Sequence, residues 1–246
     1  MAMRRTQPNS DLIWMQRALA LAKAARGHVW PNPPVGCVLV KSGIALAEAA
    51  THPGGRPHAE RAALEQATAK SGISTKGATL YVTLEPCCHW GGTPPCTDAI
   101  IASGLRRVVC AIQDPEPRVN GGGFEQLRNA GIEVSVGLCA AQATQVMSGF
   151  FHRVRTGQPE LLIVEDDTKT IPVGADALLS TNDDAFSLLS RTPQGVITAH
   201  FSKLAASGLL TQLGYVGLTT VAVTARDPVI NELRPIANSR ADKGAA

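Results

Sequence analysis

Apolar residues recur every three to four positions over residues 12–26, with Met15, Leu19 and Ala22 on one face, so this stretch reads as an amphipathic helix. Ser10 or Asp11 can cap its start, and Gly27 offers the left-handed stop. The loop Trp30-Pro31-Asn32-Pro33-Pro34 follows, stiff because proline fixes its own φ and restrains its predecessor. Residues 35–40 form an unbroken apolar run suited to a central strand, with a shorter partner at 44–48 after the turn Ser42-Gly43. From 58 to 70 the period is helical again, carried by Ala62, Ala63, Leu64 and Ala67. Strands are predicted at 79–83, 108–112 and 133–136, with helices between them at 97–102 and 124–130. That alternation predicts an α/β sheet covered on both faces and joined by right-handed crossovers. Residues 183–223 read as helix–strand–helix–strand, enough for a small α/β layer. Residues 238–246 are small and polar and read as a loose tail.

Composition narrows the class. A chain of 246 residues holds one large domain, or a standard domain plus a partial one. The apolar fraction of 44% supports a core, and 4% aromatic content makes it one packed from Ala, Val and Leu. Net charge is +3, with Lys and Arg scattered apart from pairs such as Arg4-Arg5 and Arg106-Arg107, so no basic face for nucleic acid is expected. The six cysteines (Cys37, Cys87, Cys88, Cys96, Cys110, Cys139) do not read as a secreted disulfide framework. Cys37 and Cys110, inside apolar runs, read as small buried thiols. Asp11 and Arg17 interrupt any signal-peptide core, and no apolar stretch reaches bilayer length. The expectation is a reduced, cytoplasmic protein with no membrane partner.

Candidate chemistry lies in His58-Ala59-Glu60, in Thr83-Leu84-Glu85-Pro86-Cys87 and in Cys96. One histidine and two cysteines leave one corner of a tetrahedral Zn2+ open for water, and a glutamate two residues from the histidine can move that water's protons. Each piece alone has a blander reading. His-Ala-Glu also suits a helix-capping histidine beside a solvated glutamate. Paired cysteines also suit a structural zinc site, with Cys88 or His89 as a fourth ligand. The shortest form of the deaminase signature has two residues between its cysteines, whereas eight separate Cys87 and Cys96. Helix starts near His58, Cys87 and Cys96 would favour thiolate over thiol, at the carboxyl edge of the sheet.

The run from Thr83 through Cys87-Cys88-His89 to Thr93-Pro94-Pro95-Cys96 resembles the deaminase half of the bifunctional riboflavin-biosynthesis deaminase–reductase family. The resemblance extends to Pro31-Asn32-Pro33 with Val35-Gly36, to His52, to Pro57-His58-Ala59-Glu60, to Asp114-Pro115 and to Gly149-Phe150-Phe151-His152-Arg153. It implies a three-layer αβα, cytidine-deaminase-like domain over residues 1–157. It further implies Zn2+ held by His58, Cys87 and Cys96, Glu60 as the catalytic proton shuttle, and Asn32, His52 and Asp114 as substrate contacts. Without the family, those last three read as a turn-stabilising asparagine, a surface histidine and a loop-capping aspartate. The implied substrate is a diamino-ribosylamino-pyrimidinone 5′-phosphate, which loses an exocyclic amine as ammonia. Gly92 departs from the family, which places Lys or Arg there. Either Arg56 or Arg118 compensates, or the substrate differs.

The same resemblance implies that the chain continues after Gly157 into a dihydrofolate-reductase-like domain with a nicotinamide cofactor. Residues 161–168 read Leu-Leu-Ile-Val-Glu-Asp-Asp-Thr, without the family's lysine-bearing strand and Ser-x-Asp-Gly, and Thr224-Ala225-Arg226 stands where the family has Glu-Gly-Gly. Side chains there obstruct close approach of a cofactor. Residues 158–246 are therefore expected to be a small α/β reductase remnant that binds no second cofactor and lacks reductase activity. Its expected role is dimer contact, stabilisation of the deaminase or recruitment of a separate reductase. Competing readings are a paralogous pyrimidine deaminase, a silent scaffold with four protein ligands on zinc, and a nucleic-acid deaminase, which lacks a basic stripe or aromatic platform here.

Overall fold

The turn expected at Ser42-Gly43 closes a hairpin between β1 (Gly36–Lys41) and β2 (Ile44–Ala50), paired antiparallel with Lys41 opposite Ile44. Both turn residues adopt left-handed φ, 51° and 78°, the mirror-image geometry that matches strand twist. The protein is described by a computed structural model over residues 8–69, 74–165, 168–182, 185–202 and 206–233. The tail expected at 238–246 and the start of the 183–223 pattern lie outside the described residues. Two units emerge, one of Met1–Ala25, Pro34–His52 and Arg56–Val146, the other of Arg26–Pro33, Pro53–Gly55 and Met147–Ala246.

In the first unit, α1 (Pro8–Ala25) precedes the hairpin, and α2 (Ala59–Ala69), β3 (Thr79–Val82), α3 (Cys96–Ala102), β4 (Arg107–Cys110), α4 (Gly122–Asn129), β5 (Glu133–Val136) and α5 (Ala140–Val146) follow. The sheet order is β2-β1-β3-β4-β5, with β3, β4 and β5 mutually parallel and β1 antiparallel to both neighbours. Successive residues of β1, β3 and β4 are buried alike, so both faces of the sheet are covered, as the continuous apolar runs require. Helices α1 and α5 pack together, as do α2, α3 and α4, giving the expected helix–sheet–helix layering. Cys37 and Cys110 are fully buried within it. Gly36 lets α1 lie directly on β1, since a Cβ there would fall 1.8 Å from the Ala18 carbonyl oxygen.

The expected cap of α1 is corrected. The helix begins at Pro8, so Ser10 and Asp11 lie inside it. Asp11 instead accepts from the Tyr81 hydroxyl at 2.6 Å and pairs with Arg107 at 2.9 Å. Arg107 also reaches Ser135 at 3.1 Å, so one buried network ties α1 to three strands.

The second unit contains α6 (Ser148–Thr156), β6 (Glu160–Val164), β7 (Ala177–Asn182), β8 (Ala185–Thr192), β9 (Gly195–Ser202), α7 (Ala206–Tyr215) and β10 (Thr220–Thr224). Its sheet order is β6-β10-β7-β8-β9, parallel across β6, β10 and β7 and antiparallel from β7 to β9. Leu179, Phe186, Leu209, Leu213, Val221 and Val223 form its core. The helix–strand reading at the start of 183–223 is corrected, because 185–202 is a strand hairpin. Phe186, Leu188 and Ser190 are buried while the residues between them are partly exposed, a period of two. Helix α6 packs on β6 and belongs to this unit. Among the described residues no helix is long and apolar enough to cross a membrane.

Candidate metal centre

Strand β3 delivers the first sulfur. Beyond Val82, Thr83 is fixed to β1 by two hydrogen bonds, its amide donating to the Gly36 carbonyl and its hydroxyl accepting from the Gly36 amide, both at 3.1 Å. The Glu85 amide donates to Ile112 at 3.0 Å. The buried Glu85 carboxylate accepts from the amides of Asp114 (3.2 Å), Gly121 (3.0 Å) and Phe124 (3.2 Å). Two of these amides belong to the entry of α4, where unpaired N–H groups and partial positive charge suit an anion. This anchor sets the direction in which Pro86-Cys87 leaves the sheet, and sequence reading assigned it no role. Its signal was an acid ahead of Pro-Cys together with the flexible Gly121-Gly122-Gly123.

The other two donors come from helix starts. Cys96 opens α3, and its amide donates to the Cys87 sulfur at 3.3 Å while the Thr97 amide donates to the Cys87 carbonyl at 3.2 Å. His58 immediately precedes α2 and its carbonyl receives the Ala62 amide at 3.0 Å. Glu60 follows in the first turn of α2 and is 4% exposed.

The His58 Nδ1 lies 3.7 Å from the Cys87 sulfur and 3.4 Å from the Cys96 sulfur. A tetrahedral zinc with ordinary Zn–N and Zn–S bonds separates nitrogen and sulfur by about 3.6 Å. The donor set therefore fits zinc in both chemistry and spacing. Donor atoms of His58, Cys87 and Cys96 all lie within 4.8 Å of one another, and they form the convergent group among the described residues. Cys88 and His89 do not join it, and the Cys88 thiol points to the Arg118 carbonyl at 3.6 Å. Glu60 is outside it as well.

Without metal, electrostatics favour the ligand form at Cys87 alone. The Cys87 thiol is drawn down to about 4, chiefly because the Cys96 thiol donates to it, with His58 and the Cys96 amide assisting against burial. Cys96 moves up for the complementary reason, since it keeps the proton the two sulfurs share. The contact with Cys87 raises His58 against the pull of its burial. Burial first, then the charge on Cys87, pushes Glu60 up to about 7. A nearby dication would draw all four toward their metal-binding or basic forms.

The three candidate substrate contacts fall differently. Asp114 is buried next to the Glu85 anchor, its Oδ1 accepts from the Glu116 amide at 2.9 Å, and burial pushes its carboxyl up to about 6. His52 is exposed, and its amide donates to Pro57 at 3.1 Å on the approach to His58. Asn32 belongs to the second unit, where its side-chain amide donates to the Gly55 carbonyl at 2.6 Å.

A family model described as the cytidine and deoxycytidylate deaminase zinc-binding region matches residues 8–112. The diaminohydroxyphosphoribosylamino-pyrimidine deaminase of Buchnera aphidicola (subspecies Acyrthosiphon pisum) is 44% identical over 150 residues, which are 61% of this chain and 99% of that one. The chain belongs to the diaminohydroxyphosphoribosylamino-pyrimidine deaminase family. The family expected from the motifs is thus borne out. The riboflavin biosynthesis protein RibD of Aquifex aeolicus is 50% identical over 153 residues, 62% of this chain and 42% of that one. The chain spans about half the length, or less, of such curated relatives. A crystal structure of a diaminohydroxyphosphoribosylaminopyrimidine deaminase/5-amino-6-(5-phosphoribosylamino)uracil reductase from Thermotoga maritima matches with a TM-score of 0.74 at 29% identity. That match covers 93% of this chain and 84% of the other.

Proposed function

We propose that this chain catalyses zinc-dependent hydrolytic deamination of 2,5-diamino-6-ribosylamino-4(3H)-pyrimidinone 5′-phosphate to 5-amino-6-ribosylaminouracil 5′-phosphate, in riboflavin biosynthesis. The convergence of His58, Cys87 and Cys96 beside the buried, non-ligand Glu60 carries the proposal. His58, Cys87 and Cys96 would hold zinc. When bound, zinc supplies Lewis acidity that lowers the pKa of a water to about 7. Glu60 would take one proton from the attacking water and pass it to a ring nitrogen, then take the proton of the hydroxyl now on the ring carbon and pass it to the departing amine. One C–O bond forms at the ring carbon and the exocyclic C–N bond breaks, so the water's oxygen and one proton end in the product and its other proton leaves in ammonia. Glu85 is a positioning residue that fixes the loop bearing Cys87. Asp114, His52 and Asn32 are the proposed substrate contacts, Asp114 first because it shares the Glu85 anchor.

Zinc-loaded protein is expected to release one ammonia per pyrimidine, and Glu60→Gln to keep its zinc while losing about 10²–10⁴-fold in kcat. Absence of ammonia from the wild type, or full activity in Glu60→Gln, would remove the proposal.

Residues 1–157 are the proposed deaminase domain and 158–246 a reductase-like remnant without reductase activity, in a cytoplasmic protein. The turn after β10 supports this. Asp227 accepts from the Thr181 amide and hydroxyl, both at 2.8 Å, and from the Val229 amide at 3.0 Å. That closes with side chains a turn at which the family resemblance implies the bare backbone of Glu-Gly-Gly. NADPH oxidation with the deaminated product should stay at background, and turnover at the deamination rate would refute the assignment. The remnant's proposed partners are a second copy of the chain or a separate reductase, which light scattering of the chain alone and of the mixture distinguishes.

A further inference from the structure

We propose that Arg56 is the specificity-determining cation of this site, receiving the phosphate of a phosphorylated pyrimidine over the bare Gly91-Gly92 stretch of the metal loop. The inference rests on the deaminase reading and names the substrate class it takes. A Cβ added at Gly92 would meet Arg56 Cζ and Nη2 at 3.3 Å and Nε at 3.4 Å, and one added at Gly91 would meet Nη2 at 3.4 Å. The guanidinium therefore occupies the space into which a side chain at 92 would grow. A glycine at 92 is what allows the cation to arrive from another segment.

Arg56 is free for an anion in a way that Arg118 is not. Its Nη1 donates to the Thr93 hydroxyl, which orients the fork. Among the described residues no carboxylate pairs with Arg56, whereas Arg118 Nε donates to Glu116 at 3.0 Å. Arg56 is exposed, so an anion reaches it without losing all its water. It also stands two residues before His58. The planar fork matches two phosphate oxygens, and glycines beneath it leave no side chain to block the approach.

The test compares the pyrimidine ribotide with its dephosphorylated form, by ammonia release and by calorimetric binding. Arg56→Ala is expected to raise KM for the ribotide about 10–100-fold with kcat nearly retained, so the preference for phosphate falls by that factor. Inorganic phosphate should inhibit the wild type competitively and Arg56→Ala far less. Adding Gly92→Lys to Arg56→Ala should restore the preference, because the second change places a cation in the volume the first one vacates. Zinc content serves as the check on folding. An unchanged preference in Arg56→Ala, or a preference lost instead in Arg118→Ala, would overturn the assignment while leaving the deaminase reading intact. If the ribotide binds in an Arg56-dependent way and no ammonia appears, Arg56 stands and the deaminase reading falls.

Discussion

Asp114 shows how burial of one carboxyl couples the candidate site to pH. Its folded-state value of about 6 lies above the ordinary 3.8, chiefly through burial, with Glu85 and Glu116 adding repulsion and the Glu116 amide opposing. Between those values the folded protein holds a proton that the unfolded chain has released. Stability from this group is therefore complete below about pH 4 and is lost as pH rises through about 6. The amount is on the order of 2–3 kcal/mol. Asp114→Asn keeps an oxygen for the Glu116 amide but removes the charge. Urea unfolding from pH 4 to 7 should show the variant weakening less than the wild type across that window, with Glu60, itself raised to about 7, supplying the slope that remains. Parallel pH profiles would mean that Asp114 is ionised throughout. The two readings of this residue then separate by kinetics, since a substrate contact raises KM in Asp114→Asn and a mere loop cap does not.

At the scale of elements, the site exists because three segment ends are held in register, and Glu85 is the clearest of the fasteners. It joins the exit of β3 to the segment after β4 through the Asp114 amide and to the entry of α4 through those of Gly121 and Phe124. Glu85→Ala leaves those amides unpaired in a buried place, at about 1–3 kcal/mol each before relaxation. We expect at least about 3 kcal/mol of lost stability and a zinc affinity lower by about 10–100-fold, read by chelator competition. Wild-type zinc affinity in that variant would show that Cys87 is placed by the β3–β1 contact alone.

The same scale explains what the sequence could reveal. The central strands were legible because burial on both faces leaves unbroken apolar runs, and the candidate metal donors because His58, with Glu60 two residues on, and the pair Cys87 and Cys96 each keep a local spacing. Asp11 was misread as a cap because its partner Arg107 lies 96 residues away and leaves no local mark. Residues 185–192 were misread because Leu188-Leu189 interrupts a period of two that only the buried Phe186, Leu188 and Ser190 make plain. The Glu85 anchor and the meeting of Arg56 with Gly92 are contacts between distant segments, so the sequence held only the acid ahead of Pro-Cys for the first and a choice between Arg56 and Arg118 for the second.

For the whole molecule, the decisive feature is that all three donors belong to the first unit, while the second has its own sheet and its own core. Zinc that binds the folded site and not the unfolded chain stabilises what it holds by about 4 kcal/mol when present at a thousand times its Kd. Because His58 precedes α2, Cys87 follows β3 and Cys96 opens α3, that energy is delivered to segments dispersed along the first unit. Chelation should therefore lower hydrogen-exchange protection in α2, β3 and α3. The amides of β7, β8 and β10, whose core is built from Leu179, Phe186 and Val221, should keep theirs. A uniform loss across both sheets would mean that the chain unfolds as one cooperative block and that the metal's contribution is shared by all of it. A loss confined to the first unit would leave the second standing without metal, as a separately folded body must.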